Sequence, residues 1–308
     1  MTIARGCKYR QRTGACCCDN PPIGCMEPDD PRRPDRGSGQ QREPRPEQPP
    51  PPPPLATEFA MRGSMLMMPS VGWRCSSPAE AAAAIESGIP FLDARGDPEA
   101  EAALARATPR AVLATSVPWP AAAAAAVPGG GDGSGGGAVA AGAEATAARL
   151  GRALDRVCVY VSAPEGVDVA HAAAVWTAVA DTLAARVGAL GMECVSADSA
   201  GALLRQLQAD GARLPSFLLF PTSPSHPHRA TIGLCNRLSV LPIATGQCVL
   251  QSPPPVGERL LLAWSVARGV PALAGGAGAS ERQLAAVAGW TPEPLSAADR
   301  AELNAMAV

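Results

Sequence analysis

From Met65 to the C-terminus the chain repeats one pattern: a short β-rich apolar run, a polar or Gly/Pro turn, then a longer stretch with helical apolar spacing. Strands that alternate with helices pair in parallel, because each crossover helix carries the chain back to the end where the previous strand began. Candidate strands lie at 70–73, 90–94, 111–116, 157–162, 188–192, 216–220, 240–244 and 270–273. Eight is the number that closes a sheet on itself, so the pattern predicts an α/β fold, a (β/α)8 TIM barrel. A doubly wound open sheet is the alternative. It uses fewer strands and a glycine fingerprint after the first one, and no such fingerprint follows residue 73.

The helices carry their own start signals. Pro78 in a first-turn position opens a helix that ends near Gly88, and Asp168 is placed to cap another in which Val175, Val179 and Leu183 form one stripe. Further helices are expected over 98–107, 138–154, 199–209, 227–237, 256–268 and 280–288, with a last one opening near 294–299. The segment 120–137 interrupts this order with six alanines and a glycine tract. It lacks the lysine of a phosphate-binding loop and reads as a flexible insertion.

Ahead of the repeat, residues 1–64 have a different composition. Arg, Asp, Glu, Gln and Pro alternate from Glu27 and end in six consecutive prolines, a stretch with too little apolar surface to order itself. We expect a disordered, proline-rich extension followed by a barrel over 65–308, which keeps its stability when the chain begins at Met65. Cys7, Cys16, Cys17, Cys18 and Cys25 lie in that extension without paired C-x-x-C spacing or a nearby histidine, so no metal is assigned to them. The basic residues Arg5, Lys8, Arg10 and Arg12 leave an organelle transit peptide as the alternative to a cytoplasmic location, although 1–20 contains no serine.

With 26 basic and 28 acidic side chains the formal net charge is −2, which gives no field to attract nucleic acid or an anionic membrane. No apolar run is long enough to span a bilayer. The remaining cysteines, Cys75, Cys158, Cys194, Cys235 and Cys248, are scattered and read as small buried residues in a reducing compartment.

Several strings, in order, resemble the aldo-keto reductases, and together they run from Met68 to Met306. Val71-Gly72-Trp73, Ser77 to Ala82 and Gly88 to Ala94 are similar to that family's first strand, first helix and second strand. Residues 111–118, 150–164, 186–191 and 262–271 look like its later units. The resemblance implies NADP(H) as cofactor and hydride transfer to a carbonyl, with a tyrosine, a lysine, an aspartate and a histidine handling the proton. Asp93 falls on the aspartate. The tyrosine position falls near Asp97 or Pro98, the lysine on Ser116 and the histidine on Ser162. The nicotinamide contacts fall on Glu193-Cys194, Leu218-Leu219 and Thr245, and the 2'-phosphate stretch on Ala274-Gly275, with Arg282 as the remaining cofactor-binding candidate.

A general acid needs a phenol or similar group, a cation beside it and a carboxylate to hold that cation. On these positions Asp93 stands alone, and Asp93→Asn is expected to leave any measured activity or binding almost unchanged. The implied activity is therefore a catalytically degenerate barrel that binds or regulates an unidentified protein or small molecule, with NADP(H) held weakly or not at all. The alternative is an NAD(P)H-dependent oxidoreductase of carbonyl compounds with a rearranged site drawing on Asp93, Tyr160 or His226. Tyr160 also reads as core packing, and His226 and His228 as a solvated turn. No metal is assigned.

Overall fold

A computed structural model describes residues 57–119, 134–245, 258–276, 279–291 and 293–305. The N-terminal cysteine cluster, the proline-rich tract, most of the Gly/Ala-rich insertion and Cys248 lie outside the described residues.

The first element is a hairpin, β1 (Glu58–Ala60) and β2 (Met67–Pro69), paired antiparallel with Phe59 opposite Met68. Eight parallel strands follow: β3 (Val71–Arg74), β4 (Phe91–Asp93), β5 (Val112–Val117), β6 (Val157–Ser162), β7 (Ala189–Glu193), β8 (Phe217–Pro221), β9 (Leu241–Thr245) and β10 (Ala272–Gly275). They close in chain order, β10 pairing with both β9 and β3. The predicted (β/α)8 barrel is the observed fold.

Between the strands run α1 (Pro78–Glu86), α2 (Pro98–Leu104), α3 (Ser134–Arg149), α4 (Val169–Leu183), α5 (Ala197–Ala209), α6 (Arg229–Arg237) and α7 (Glu258–Val266). After the barrel closes come α8 (Glu281–Ala288) and α9 (Ala297–Ala305). The cap signals act as chemistry dictates. Ser77 accepts from the Glu80 amide with Pro78 beside it, Asp97 accepts from Ala100, and Asp168 accepts from Ala170 and His171. Ser196 with Ser199 and Ser280 with Gln283 form reciprocal capping boxes.

Side-chain alternation along the strands separates two apolar layers. Phe91, Ala114, Cys158, Tyr160, Phe217, Leu219, Ile243 and Leu273 fill the barrel, whereas Trp73, Leu92, Leu113, Val159, Val161, Leu218 and Ala274 face the helices. Gly191 admits the Phe217 ring inside: a Cβ there would lie 2.3 Å from it. A buried carboxylate ties helices to sheet, because Glu101 of α2 accepts from Thr115 of β5 at 2.6 Å and pairs with Arg149 of α3.

Three of the differences from the sequence reading have a local cause. The fold begins before Met65: Met61, 4% exposed, and Met68 join the inner layer, so the hairpin plugs the end where the strands start. α3 starts inside the glycine tract at Ser134 and stops before Gly151, whose left-handed φ of 60° ends helical geometry where the apolar pattern alone ran on to 154. α6 starts at Arg229, not Pro227, because His228 also adopts a left-handed conformation. Among the described residues no helix is long and apolar enough to cross a membrane.

Candidate functional site

The C-terminal ends of barrel strands are where this architecture presents chemistry. Here they carry a closed set of charges. Pleat alternation turns Arg74 at the end of β3, Asp93 at the end of β4, Tyr160 in β6 and Glu193 at the end of β7 towards the axis. Arg74 donates from Nε to Asp93 Oδ2 at 2.7 Å, from Nη1 to Glu193 Oε1 at 2.6 Å and from Nη2 to Tyr160 Oη at 3.2 Å. The tyrosine hydroxyl donates to Asp93, 2.9 Å from Oδ2 and 3.1 Å from Oδ1. The outer carboxylate oxygens are also occupied: the Arg95 amide donates to Asp93 Oδ1 at 3.0 Å, and Ser162 Oγ donates to Glu193 Oε2 at 2.8 Å.

Asp93 and Tyr160 are fully buried and Arg74 is 5% exposed. Burial pushes the Tyr160 hydroxyl well above its ordinary pKa, and the neighbouring Asp93 charge adds to that, with Arg74 offsetting only part of it. Burial would also strip the charge from Arg74, but its anionic partners more than restore it and hold its pKa well above the ordinary value. Glu193 follows the same logic with opposite sign. Burial favours its neutral form, and Arg74, Ser162 and Arg95 together outweigh this and leave its pKa lowered.

These contacts correct one expectation. Asp93 does cap the following turn through the Arg95 amide, but it is not without a cation. Arg74 reaches across from the neighbouring strand and pairs with Asp93. Tyr160 packs against Phe217, ring centroids 6.5 Å apart and nearly perpendicular, and its hydroxyl points into the charge cluster. The side chain is packed in the barrel core, as expected of it, and its hydroxyl lies in the charge cluster.

Sequence reasoning missed Arg74 and used Glu193 only as a mark of loss. The signal was present: Arg74 shares a face with Gly72, and Glu193 shares one with Gly191, the residues against which the inner Phe91 and Phe217 rings pack. Ser116 is half-buried beside Gly96, whose own Cβ position lies 2.7 Å from the serine oxygen. Asp97 and Pro98 open α2 and supply no phenol. His226 and His228 lie on the rim after β8 and face each other, apart from the cluster. Arg282 is exposed in the first turn of α8. Among the described residues no group of three or more His, Cys, Asp or Glu side chains is arranged to hold a metal.

Cavities of about 80, 190, 230 and 380 Å³ open elsewhere, beside Arg62 and Trp176, beside Ile89 and Thr108, beside Trp290 and Leu295, and between α1 and α2. None of these four is lined by Arg74, Asp93, Tyr160 or Glu193.

No protein-family model matches the chain, and no curated protein matches it. Solved structures do. An aldo/keto reductase from Brucella melitensis superposes with a TM-score of 0.62 at 12% identity, over 82% of this chain and 99% of that one. An aldo-keto reductase of the silkworm Bombyx mori superposes with a TM-score of 0.60 at 15% identity, over 82% of this chain and 88% of that one, as does its complex with NADPH. The barrel therefore has the aldo-keto reductase architecture, at an identity that carries the fold alone.

Proposed function

We propose that this protein is a catalytically degenerate barrel of aldo-keto reductase type, acting as a binding or regulatory protein for a protein or small-molecule partner. The observation that carries the reading is the hydrogen bond from Tyr160 to Asp93. A proton donor for a carbonyl must aim its hydroxyl at open space, near a pKa that allows transfer. Tyr160 instead spends its proton on a carboxylate and is fully buried, and its pKa is raised. Each charged group of the cluster is already paired, so a substrate oxygen would have to break existing contacts to enter.

The residues at the expected dinucleotide positions do not fit NADPH. Glu193, at one nicotinamide contact, is tied to Arg74 and Ser162 and presents a negative charge where an amide contact is required. Leu218 and Leu219 are buried apolar side chains of β8 and offer no hydrogen bond. Ala274 and Gly275 bring no charge to a 2'-phosphate, and Gly275 lies so close to Trp73 that even a Cβ would collide with the indole. Arg282 lies in the first turn of α8 as the remaining candidate cation for a phosphate.

One observation favours the second reading, an oxidoreductase with a rearranged site. A phenol, a cation and a carboxylate, the three ingredients of a tuned proton donor, lie within 3.2 Å of one another here, although they come from different strands. The two readings separate in a titration of the full chain with NADPH followed by nicotinamide emission, together with an aldehyde-reduction assay. The degenerate reading expects no saturation tighter than the hundred-micromolar range, roughly −5.5 kcal/mol, and no turnover. A dissociation constant of a few micromolar that is lost in Arg282→Ala, together with turnover of the aldehyde, would establish the oxidoreductase.

A further inference from the structure

The loop between β8 and α6 is built to an unusual degree for a surface turn. Thr222 and Ser223 are buried beneath it, and Pro224 and Pro227 fix its backbone on either side of His226. Ser223 and His226 exchange backbone hydrogen bonds at 3.0 and 3.2 Å, and Thr222 Oγ1 donates to the His226 carbonyl at 3.1 Å. The next residue but one, His228, sits in the left-handed region at φ 42°, ψ 43°. That conformation is disfavoured for a non-glycine residue. It precedes α6 in the N-cap position, yet its side chain makes no cap hydrogen bond, so helix capping does not account for the strain.

Two imidazoles lie close together across this turn. The rings of His226 and His228 are 6.4 Å apart at their centroids and inclined by only 27°. Metal–nitrogen bonds of about 2.0–2.1 Å place two imidazoles on one ion with centroids roughly 5–6 Å apart, so a small rotation of either side chain closes the distance. The His226 ring is also oriented from behind. Ser225 Oγ lies 3.2 Å from Nδ1 and is itself 3.0 Å from Ser223 Oγ. When that hydroxyl accepts from Nδ1–H, the lone pair of the neutral ring is left on Nε2, which is how ligating histidines are commonly held.

We propose that His226 and His228 form a two-imidazole site for a late first-row transition metal ion on the rim of the barrel, at the end where Arg74 and Asp93 lie. Imidazole pairs select Ni²⁺, Cu²⁺ and Zn²⁺ over the hard cations, and two protein ligands leave the other coordination positions to water or to a ligand brought by a partner. Arg229, next in sequence and positively charged, opposes cation binding and sets the expected affinity in the micromolar range.

The test is calorimetric titration of the full chain with Ni²⁺. The cysteines outside the described residues, Cys7, Cys16, Cys17, Cys18, Cys25 and Cys248, are replaced by serine so that their thiolates do not compete. The other four thiols are buried and do not compete: burial raises Cys158, Cys194 and Cys235 to about 12 and lifts Cys75 further. One equivalent should bind with a dissociation constant of about 10 µM at pH 7.5. His226→Ala should weaken it at least tenfold. His228→Asn should do the same while preserving the loop, since asparagine tolerates the left-handed backbone. Absence of saturable binding below 100 µM, or an affinity unchanged in both variants, overturns the proposal.

Discussion

Arg74 Nε lies 2.7 Å from Asp93 Oδ2, joining the ends of β3 and β4 inside the barrel. The pair is buried and Arg74 also serves Glu193 and Tyr160, so this cation is the centre of the cluster. Replacing one partner of a buried ion pair leaves a charge without compensation, which costs about 3–5 kcal/mol. Arg74→Met should therefore lower the unfolding free energy in urea by about that amount. Arg74→Lys should recover only part of it, because an ammonium cannot span three acceptors in the guanidinium's planar fork. Unchanged stability in Arg74→Met would mean that the carboxylates are hydrated instead of paired.

Tyr160 gives an optical readout of the same cluster. The chain has two tyrosines, Tyr9 and Tyr160. Burial followed by the Asp93 charge raises Tyr160 in the folded state, above an unfolded value of about 10. The neutral phenol is thus the form favoured by folding: its contribution is complete below about pH 10 and is lost as pH rises towards the folded value. Absorbance at 295 nm should report the ionisation of Tyr160 only with loss of the near-UV circular dichroism. Two tyrosines titrating together in the folded chain would contradict the buried hydrogen bond.

Glu193 makes the acid-side prediction. Burial alone would raise its pKa, but Arg74 and Ser162 outweigh burial and the folded value is lowered. Its stabilising contribution is therefore present above the unfolded pKa, about 4.3, and is lost as pH falls through the folded value. Glu193→Gln should reduce stability at pH 7 and flatten the decline below about pH 5, measured by thermal melting across pH 3 to 7. A variant with the wild-type slope would place the acid sensitivity elsewhere.

How much of this was legible in the sequence depended on periodicity. Short apolar runs alternating with period-3.6 stretches located all eight barrel strands and the helices to within a few residues, because a strand buried on both faces reads as a continuous apolar run and a helix buried on one face as a stripe. The Asp168 cap was equally readable, since a capping aspartate acts on amides two and three residues away. The charge cluster was not, because it joins residues as far apart as Arg74 and Glu193 through barrel closure, and no local pattern encodes which inward positions meet at the axis. Matching the family's positions one by one also hid it. That comparison asks whether a lysine stands at Ser116, whereas the barrel accepts a cation from any strand whose side chain points inward. The hairpin escaped notice for a different reason: Glu58–Ala60 is three residues long and follows directly on the proline-rich tract, so composition drew the boundary too late.

That boundary yields the last prediction. A chain beginning at Met65 keeps β2 but loses β1, and with it the pairing of Phe59 opposite Met68 and of Ala60 opposite Met67. It also loses Met61, which packs in the inner layer at 4% exposure, the 2.6 Å hydrogen bond from Ser64 Oγ to the Gly188 carbonyl, and the bond from Arg62 to the Leu238 carbonyl. Removing a buried methionine side chain costs about 2–5 kcal/mol where the cavity cannot collapse, and here the whole plug at the strand-start end of the barrel is removed with it. For a domain of this size such a loss lowers the melting temperature by roughly 5–15 °C. A chain beginning at Ala56 retains every one of these contacts and should melt with the full-length protein, because the residues it lacks precede the hairpin. Differential scanning calorimetry of the three chains decides the matter. If the Met65 chain melts with the other two, the hairpin is a passive cover and the barrel is stable with its inner layer open to water.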